Sequence, residues 1–359
     1  MRILHINDSR GWRGGENQTH LLIRGLLKAG IVCDLLAHSD GALSVRCKEN
    51  GCSAYECNFH GLKSLTIPWY IRRLCSSTRY DCVHAHTARA HTYACLALAG
   101  VSSPIPLVVT RRNISRDNPG WSTRLKYKRA AHVIAISRAI QRQLTAMGVT
   151  ASKVSVIPSG LDLCKYEGVP TLAREELGIP AEKKIIGVVA ALTGEKGHET
   201  VLTAIHKLKI QQDNVHALFV GDGPLRAHLE QRVEQMKLVD DVTFTGHRTD
   251  VGSILPLMDV YVSASSHEGL GTATLDALLA GIPVVASRVG GVPEVIDDKV
   301  NGLLFETGDA DELAEQVKRI LCDADIRTSL INNGYEQVKR FDIADTIART
   351  IKIYSEVCP

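Results

Sequence analysis

Two acids bracket a glycine turn near residue 270. The chain reads Glu268-Gly269-Leu270-Gly271-Thr272 and reaches Asp276 four residues later. Gly290-Gly291-Val292-Pro293-Glu294 follows downstream. A glycine turn that opens a helix leaves backbone N–H groups unpaired beside a partial positive charge. Gly269, Leu270, Gly271 and Thr272 are therefore expected to hold phosphate. Asp276 falls about one turn into that helix, where a carboxylate accepts hydrogen bonds from ribose hydroxyls. Glu268, ahead of the turn, is placed to accept from a sugar ring. The pattern predicts a socket for a sugar nucleotide, with the helix stopping at Gly281 before Pro283.

This stretch resembles the signature of the retaining glycosyltransferases of the GT-B fold, family 4. There, two glutamates are separated by seven intervening residues and a Gly-Gly-x-Pro-Glu turn follows. The second acid here is aspartate, one methylene shorter. The resemblance implies two doubly wound α/β domains facing across a cleft and transfer of a sugar from a nucleotide sugar with retention of configuration. It implies no cofactor and no metal, positive groups taking the metal's place. A UDP-sugar is the favoured donor, with GDP- and ADP-sugars as alternatives.

A second glycine loop, Ala191-Leu192-Thr193-Gly194-Glu195-Lys196-Gly197, joins a strand to a helix. Lys196 is expected to neutralise a diphosphate beside Gly194. The family usually adds an arginine five residues earlier, where this chain has Ala191. Arg248, in the loop that runs beside the base in the family, is a candidate substitute. A third loop, Gly11-Trp12-Arg13-Gly14-Gly15-Glu16, follows the first strand. In the family this loop faces donor and acceptor, so Gly15 is assigned to the donor and Gly14 and Glu16 to the acceptor side. Its spacing is not that of the dinucleotide fingerprint, which argues against a nicotinamide enzyme.

Asp81-Cys82-Val83-His84-Ala85-His86 ends another strand. Histidines in this pattern lie near the cleft in the family, so His86 is a candidate catalytic residue and His84 a candidate on the acceptor side. Core histidines are the plainer alternative. Many relatives have a histidine where Arg111 and Arg112 stand. Two guanidiniums at a strand end suit phosphate or carboxylate. Arg111 joins Glu268, Lys196 and His86 in the catalytic set, and Arg112 the acceptor side. Trp121, Arg124, Lys126, Lys128 and Arg129 read either as an interfacial patch or as a solvated helix.

Short apolar runs alternate with helical spacing in two waves, giving seven and then six strand segments. Such alternation predicts βαβ units and parallel sheets. Residues 1–163 form the expected acceptor-side domain, and 164–341 the nucleotide-sugar domain. The polar stretch to about residue 180 is read as a linker. The resemblance implies that helix 342–359 packs back on the first domain.

The net charge of +3 conceals an asymmetry: residues 1–160 carry 22 bases and 8 acids. That excess suits an anionic or lipid-linked saccharide acceptor, or an acidic membrane surface. Nucleic acid is not expected, since no binding motif accompanies the charge. No apolar run reaches the ~18–20 residues of a membrane span. Ten cysteines without a C-x-x-C pair read as reduced thiols. These features predict a cytoplasmic enzyme, at most peripheral at the inner membrane, in cell-envelope polysaccharide or lipopolysaccharide biosynthesis. The competing readings are a GT-B sugar-nucleotide epimerase and a non-catalytic nucleotide-sugar-binding protein.

Overall fold

The computed structural model describes residues 1–100, 105–113, 121–211 and 214–358. The chain divides into two units: Met1–Gly160 with Phe341–Pro359, and Leu161–Arg340.

In the first unit the strands are β1 (Arg2–Asn7), β2 (Val32–His38), β3 (Ser53–Cys57), β4 (Cys82–Ala85), β5 (Leu107–Arg111), β6 (His132–Ala135) and β7 (Val154–Val156). They form one parallel sheet in the order β3-β2-β1-β4-β5-β6-β7. The helices are α1 (Gly14–Lys28), α2 (Ala42–Glu49), α3 (Ile67–Ser77), α4 (Ala88–Ala97), α5 (Trp121–Lys128) and α6 (Arg138–Ala146). Leu22, Ile23 and Leu26 give α1 its buried face, and Gly30, at φ +79°, follows its end.

In the second unit the strands are β8 (Lys184–Val189), β9 (Val215–Val220), β10 (Val242–Phe244), β11 (Val260–Ser263), β12 (Val284–Ser287) and β13 (Leu303–Phe305). This sheet is also parallel, in the order β10-β9-β8-β11-β12-β13. Its helices are α7 (His198–Ile210), α8 (Arg226–Gln235), α9 (Val251–Ile254), α10 (Thr272–Leu279), α11 (Ala310–Cys322) and α12 (Ala324–Val338). Apart from the edge strand β3, the strands are mostly buried and largely apolar, as sheets covered on both faces require.

Strand order reverses between β1 and β4 in the first sheet, and between β8 and β11 in the second. Connections leave such a pair toward opposite faces, so the loops at its carboxyl ends part and open a crevice. The second reversal brings together the loops that carry Lys196 and Glu268.

The stretch read as a linker is packed on the second unit. Leu172 N–H donates to the Ser253 carbonyl at 2.9 Å, Arg174 Nη1 to that of Lys183 at 2.9 Å, and Ile179 is buried. Its few apolar residues are anchors spaced too widely to show a period. The last helix, α13 (Ile343–Val357), belongs to the first unit. Ile347 packs on α1 at Gly25, where an added Cβ would lie 2.0 Å from Ile347 Cδ1.

Candidate donor and acceptor sites

The second unit gathers the donor residues at the head of α10. Gly271 stands in the left-handed region at φ +91° and precedes Thr272 with no side-chain cap, so the first amides of α10 have no partner from that residue. A Cβ on Gly271 would come within 3.3 Å of Thr274 Oγ1 and 3.7 Å of Glu268 Cγ. Glu268 is held from behind: its carbonyl accepts from Gly291 N–H at 3.2 Å, and its Oε2 from Ser265 Oγ at 3.3 Å. Leu270 is buried and fixes the turn.

Lys196 closes the site from the other loop, its Nζ 2.7 Å from Glu268 Oε2. Gly197 makes this approach feasible. Its φ is +67°, and a Cβ there would fall 1.9 Å from the Ala264 carbonyl oxygen at the end of β11. Ser266 N–H donates to the Glu195 carbonyl at 2.8 Å, tying the two loops together. Around Gly194 a side chain would meet nothing within 4 Å.

Asp276 is engaged by a residue that sequence reasoning missed. Lys165 Nζ lies 2.8 Å from Asp276 Oδ1, and it also sits 4.9 Å from the ring centre of its neighbour Tyr166. Burial, Glu268 and Asp276 together push the Tyr261 phenol well up. The charge of both acids thus reaches one buried ring. The Tyr166 phenol is likewise raised by burial and by Asp276.

Arg248 is paired within its own loop. Its Nε donates to Asp250 Oδ1 at 2.8 Å and its Nη2 to Oδ2 at 2.5 Å. The acid two residues on satisfies its fork, a pairing that loop geometry decides. The sequence also holds two Asp-x-Asp triplets, Asp309–Asp311 and Asp323–Asp325, the spacing that binds metal in some sugar transferases. Both are helix caps: Asp309 Oδ1 accepts from Asp311 and Glu312 N–H, and Asp323 Oδ1 from Asp325 and Ile326 N–H.

In the first unit the two adjacent arginines diverge. The charge of Arg111 is felt by His91, Lys126 and Tyr127, beside α4 and α5. Arg112 turns toward α1, its Cδ 3.7 Å from where a Gly15 side chain would begin. Arg112 Nη1 donates to Ser159 Oγ at 3.3 Å, while its Nε is buried without a partner. Burial pulls the guanidinium down to about 10, with Glu16 opposing. A cavity of about 20 Å³ adjoins it, lined also by Gln18, Thr110 and Thr346. Glu16 is buried, and its Oε2 accepts from Arg13 N–H at 3.0 Å at the start of α1. It acts as a helix cap and countercharge, with Gly14 the first residue of that helix.

His84 and His86 are core residues. His84 is wholly buried, with Nδ1 2.6 Å from Tyr354 Oη and Nε2 2.7 Å from Thr110 Oγ1. His86 Nε2 is 3.0 Å from His5 Nδ1, and His86 Nδ1 is buried without a partner. Desolvation, then the neighbouring charges, holds both far below the usual histidine range. Potential ligand atoms of His5, His84 and His86 lie within 4.8 Å of one another. Yet both His84 nitrogens are already committed, and the cluster ties α13 to β1, β4 and β5. The motif gave no sign of this, because Tyr354 lies 270 residues away.

Among known families, the Glycosyl transferases group 1 model matches residues 171–337, and the Glycosyltransferase Family 4 model matches residues 12–165. Lipopolysaccharide core biosynthesis glycosyltransferase LpsD of Rhizobium meliloti is 25% identical over 342 residues, covering 94% of this chain and 93% of that protein. The 2-deoxystreptamine glucosyltransferase of Streptomyces kanamyceticus is 32% identical over 203 residues, 55% of this chain, and the chain spans only 52% of its length. Anabaena HepE, solved in complex with UDP-glucose, superposes with a TM-score of 0.88 at 23% identity, covering 99% of this chain and 100% of that one. Two family models that span nearly the whole sequence, over two parallel-sheet Rossmann-like units, place the chain in the glycosyl transferases group 1 family of the GT-B fold.

Proposed function

We propose that the chain transfers a glycosyl group from a nucleotide sugar to a saccharide or lipid-linked acceptor in cell-envelope polysaccharide or lipopolysaccharide assembly. The observation that carries this reading is the Lys196–Glu268 pair, 2.7 Å apart, beside the uncapped head of α10. An ammonium and a carboxylate stand together before a helix N-terminus, and the Asp276 acid follows one turn into that helix. That arrangement suits a ligand with a diphosphate flanked by a ribose and a sugar.

When the bond from the anomeric carbon to the diphosphate breaks, negative charge grows on the departing oxygen. Lys196 and the amides of Gly271 and Thr272 are fixed donors for that charge. Preorganised groups of this kind supply much of the barrier reduction in transfer reactions. Glu268 positions the sugar and stabilises positive charge on its ring. We infer attack from the face the diphosphate leaves, which retains configuration and needs no covalent nucleophile. Support for a UDP-sugar comes from HepE, whose structures contain UDP and UDP-glucose. The link to the cell envelope draws on LpsD and on the basic first unit.

The test is thermal stabilisation by UDP, GDP and ADP, followed by transfer from the matching sugar nucleotide with the anomeric configuration of the product read by NMR. A nucleotide at ~100 times its dissociation constant adds about 2.7 kcal/mol, several degrees of shift. Stabilisation without turnover on any acceptor, or with only donor epimerisation, would replace the transferase reading.

A further inference from the structure

The segment read as an interfacial patch, Trp121–Arg129, is fastened to α4. Lys126 Nζ donates to Thr92 Oγ1 at 3.2 Å, and Arg129 Nη1 to the Cys95 carbonyl at 3.1 Å. The side chain of Trp121 lies outside the described residues. The last helix, α13, is fastened in a different way.

Near its start, Thr346 Oγ1 donates to the Pro158 carbonyl at 2.9 Å, and Ile347 packs on Gly25. Farther along, Tyr354 meets His84 of β4. One turn beyond Tyr354 comes Cys358, where the helix has ended at Val357. Its Sγ donates to the carbonyl of Asp81 at 3.3 Å. The next residue, Cys82, opens β4 and is wholly buried. The two thiols are hydrogen-bonded to each other. A sulfur at the end of the last helix and one in the middle of the sheet therefore meet.

The two sulfurs differ in access. Cys358 is half-buried and Cys82 fully buried, so a solute arriving from water reaches Cys358 first. They differ in acidity too. The hydrogen bond from Cys82 holds the Cys358 thiol below the usual range, with burial and Asp81 opposing. The same bond, and then burial, hold the Cys82 thiol well above it. A thiolate therefore forms at Cys358 while the proton stays on Cys82. The core thiols of Cys33 and Cys47 lack this asymmetry: burial pushes both up to about 12.

We propose that Cys82 and Cys358 form a redox latch, which a hydroperoxide closes and a dithiol reductant opens. The Cys358 thiolate attacks a peroxide oxygen. The O–O bond breaks, a sulfenic acid forms, and the hydroxide that leaves is protonated to water. The Cys82 sulfur then attacks the sulfenic sulfur. The S–S bond forms, the S–O bond breaks, and the departing hydroxide takes the Cys82 proton. Two thiols are oxidised, and one hydrogen peroxide is reduced to two waters. A dithiol reverses the step by thiol–disulfide exchange. Closed, the bridge pins α13 to β4 beside the Tyr354–His84 contact. It joins residues far apart in sequence, where a cross-link restricts the unfolded chain most. The latch acts on the wall of the first unit and does not rest on the transfer reaction.

The experiment treats the reduced full chain with hydrogen peroxide, alkylates the remaining thiols with iodoacetamide and maps the peptides by mass spectrometry. A peptide pair joined through Cys82 and Cys358 is expected. The melting midpoint rises by about 5 °C or more and returns on reduction with dithiothreitol. Cys164→Ser/Cys322→Ser removes two exposed thiols and keeps both responses. Cys358→Ser and Cys82→Ala each lose both. Before oxidation Cys358→Ser melts with the reduced parent, so its loss of response is not misfolding. Irreversible oxidation of Cys358 alone, bridges that run instead to Cys164 or Cys322, or a joined pair that leaves the midpoint unchanged overturns the latch.

Discussion

Lys165 grips Asp276 by one carboxylate oxygen, at 2.8 Å, and leaves the other oxygen out of the pair. The contact offsets the missing methylene in a specific way. On the proposed function, a carboxylate set too far back would gain beside it a cation able to donate to a sugar hydroxyl. Lys165→Ala is expected to change stability by less than about 0.5 kcal/mol, because the ammonium is partly exposed. It should weaken donor binding by roughly tenfold. Asp276→Asn should weaken it comparably, and the double variant should add little. Additive losses in nucleotide titrations would mean that the two side chains act separately.

Lys196→Ala and Glu268→Ala should part company kinetically. On the proposed mechanism Lys196 meets the leaving group, so its loss should reduce kcat by roughly a hundredfold or more. Lys196→Ala should also lose most of the stabilisation by nucleoside diphosphate. On the same mechanism Glu268 faces the sugar, so Glu268→Ala should still be stabilised by the nucleotide while transfer fails. Nucleotide stabilisation lost equally in both variants would contradict this division of labour.

Arg112 is expected to cost stability and serve function. A guanidinium with a sealed Nε and, among the described residues, no carboxylate in contact is an expensive group to bury. Arg112→Met should raise stability by about 1 kcal/mol while lowering transfer tenfold or more. A variant both less stable and inactive would show the charge to be structural. Urea unfolding and initial rates on the same preparation decide.

Acid should loosen the first unit before the carboxylates titrate. His5 is pulled down to about 3 by burial and His91 to about 3, while an unfolded histidine titrates near 6.5. Below about 6.5 the unfolded chain binds more protons, so stability present at neutral pH falls as pH drops from there toward 3. One such histidine contributes about 2 kcal/mol of that loss by pH 5. Melting midpoints at pH 7.5, 6 and 5 should fall stepwise. A flat profile would mean that these rings are solvated in solution.

The thirteen predicted strand segments all form, within two residues at either end, because buried parallel strands are written as apolar runs that little else imitates. Glu268, Gly271 and Asp276 were legible for a related reason: a turn and the helix it opens are local, so spacing fixes their geometry. What escaped were pairings made across the fold. Lys165 is 111 residues from Asp276, and Tyr354 is 270 from His84. Arg248 beside Asp250 was close enough to see, but an arginine near a base-binding loop reads equally as a free cation. His84 and His86 illustrate the same limit, since a histidine ending a strand looks the same whether its ring turns to a crevice or to a closing helix.

Tyr354 is wholly buried, and its hydroxyl meets a histidine from the middle of a sheet whose strands all lie before residue 157. The order of synthesis therefore runs against the order of completion. A ribosome releases residues 1–160 long before it makes α13, and until then the core around His84 lacks its last wall. The second unit, continuous in sequence, needs no later segment to close on itself. A fragment ending at residue 160 should expose that missing wall and aggregate, whereas residues 161–340 should express as a folded domain.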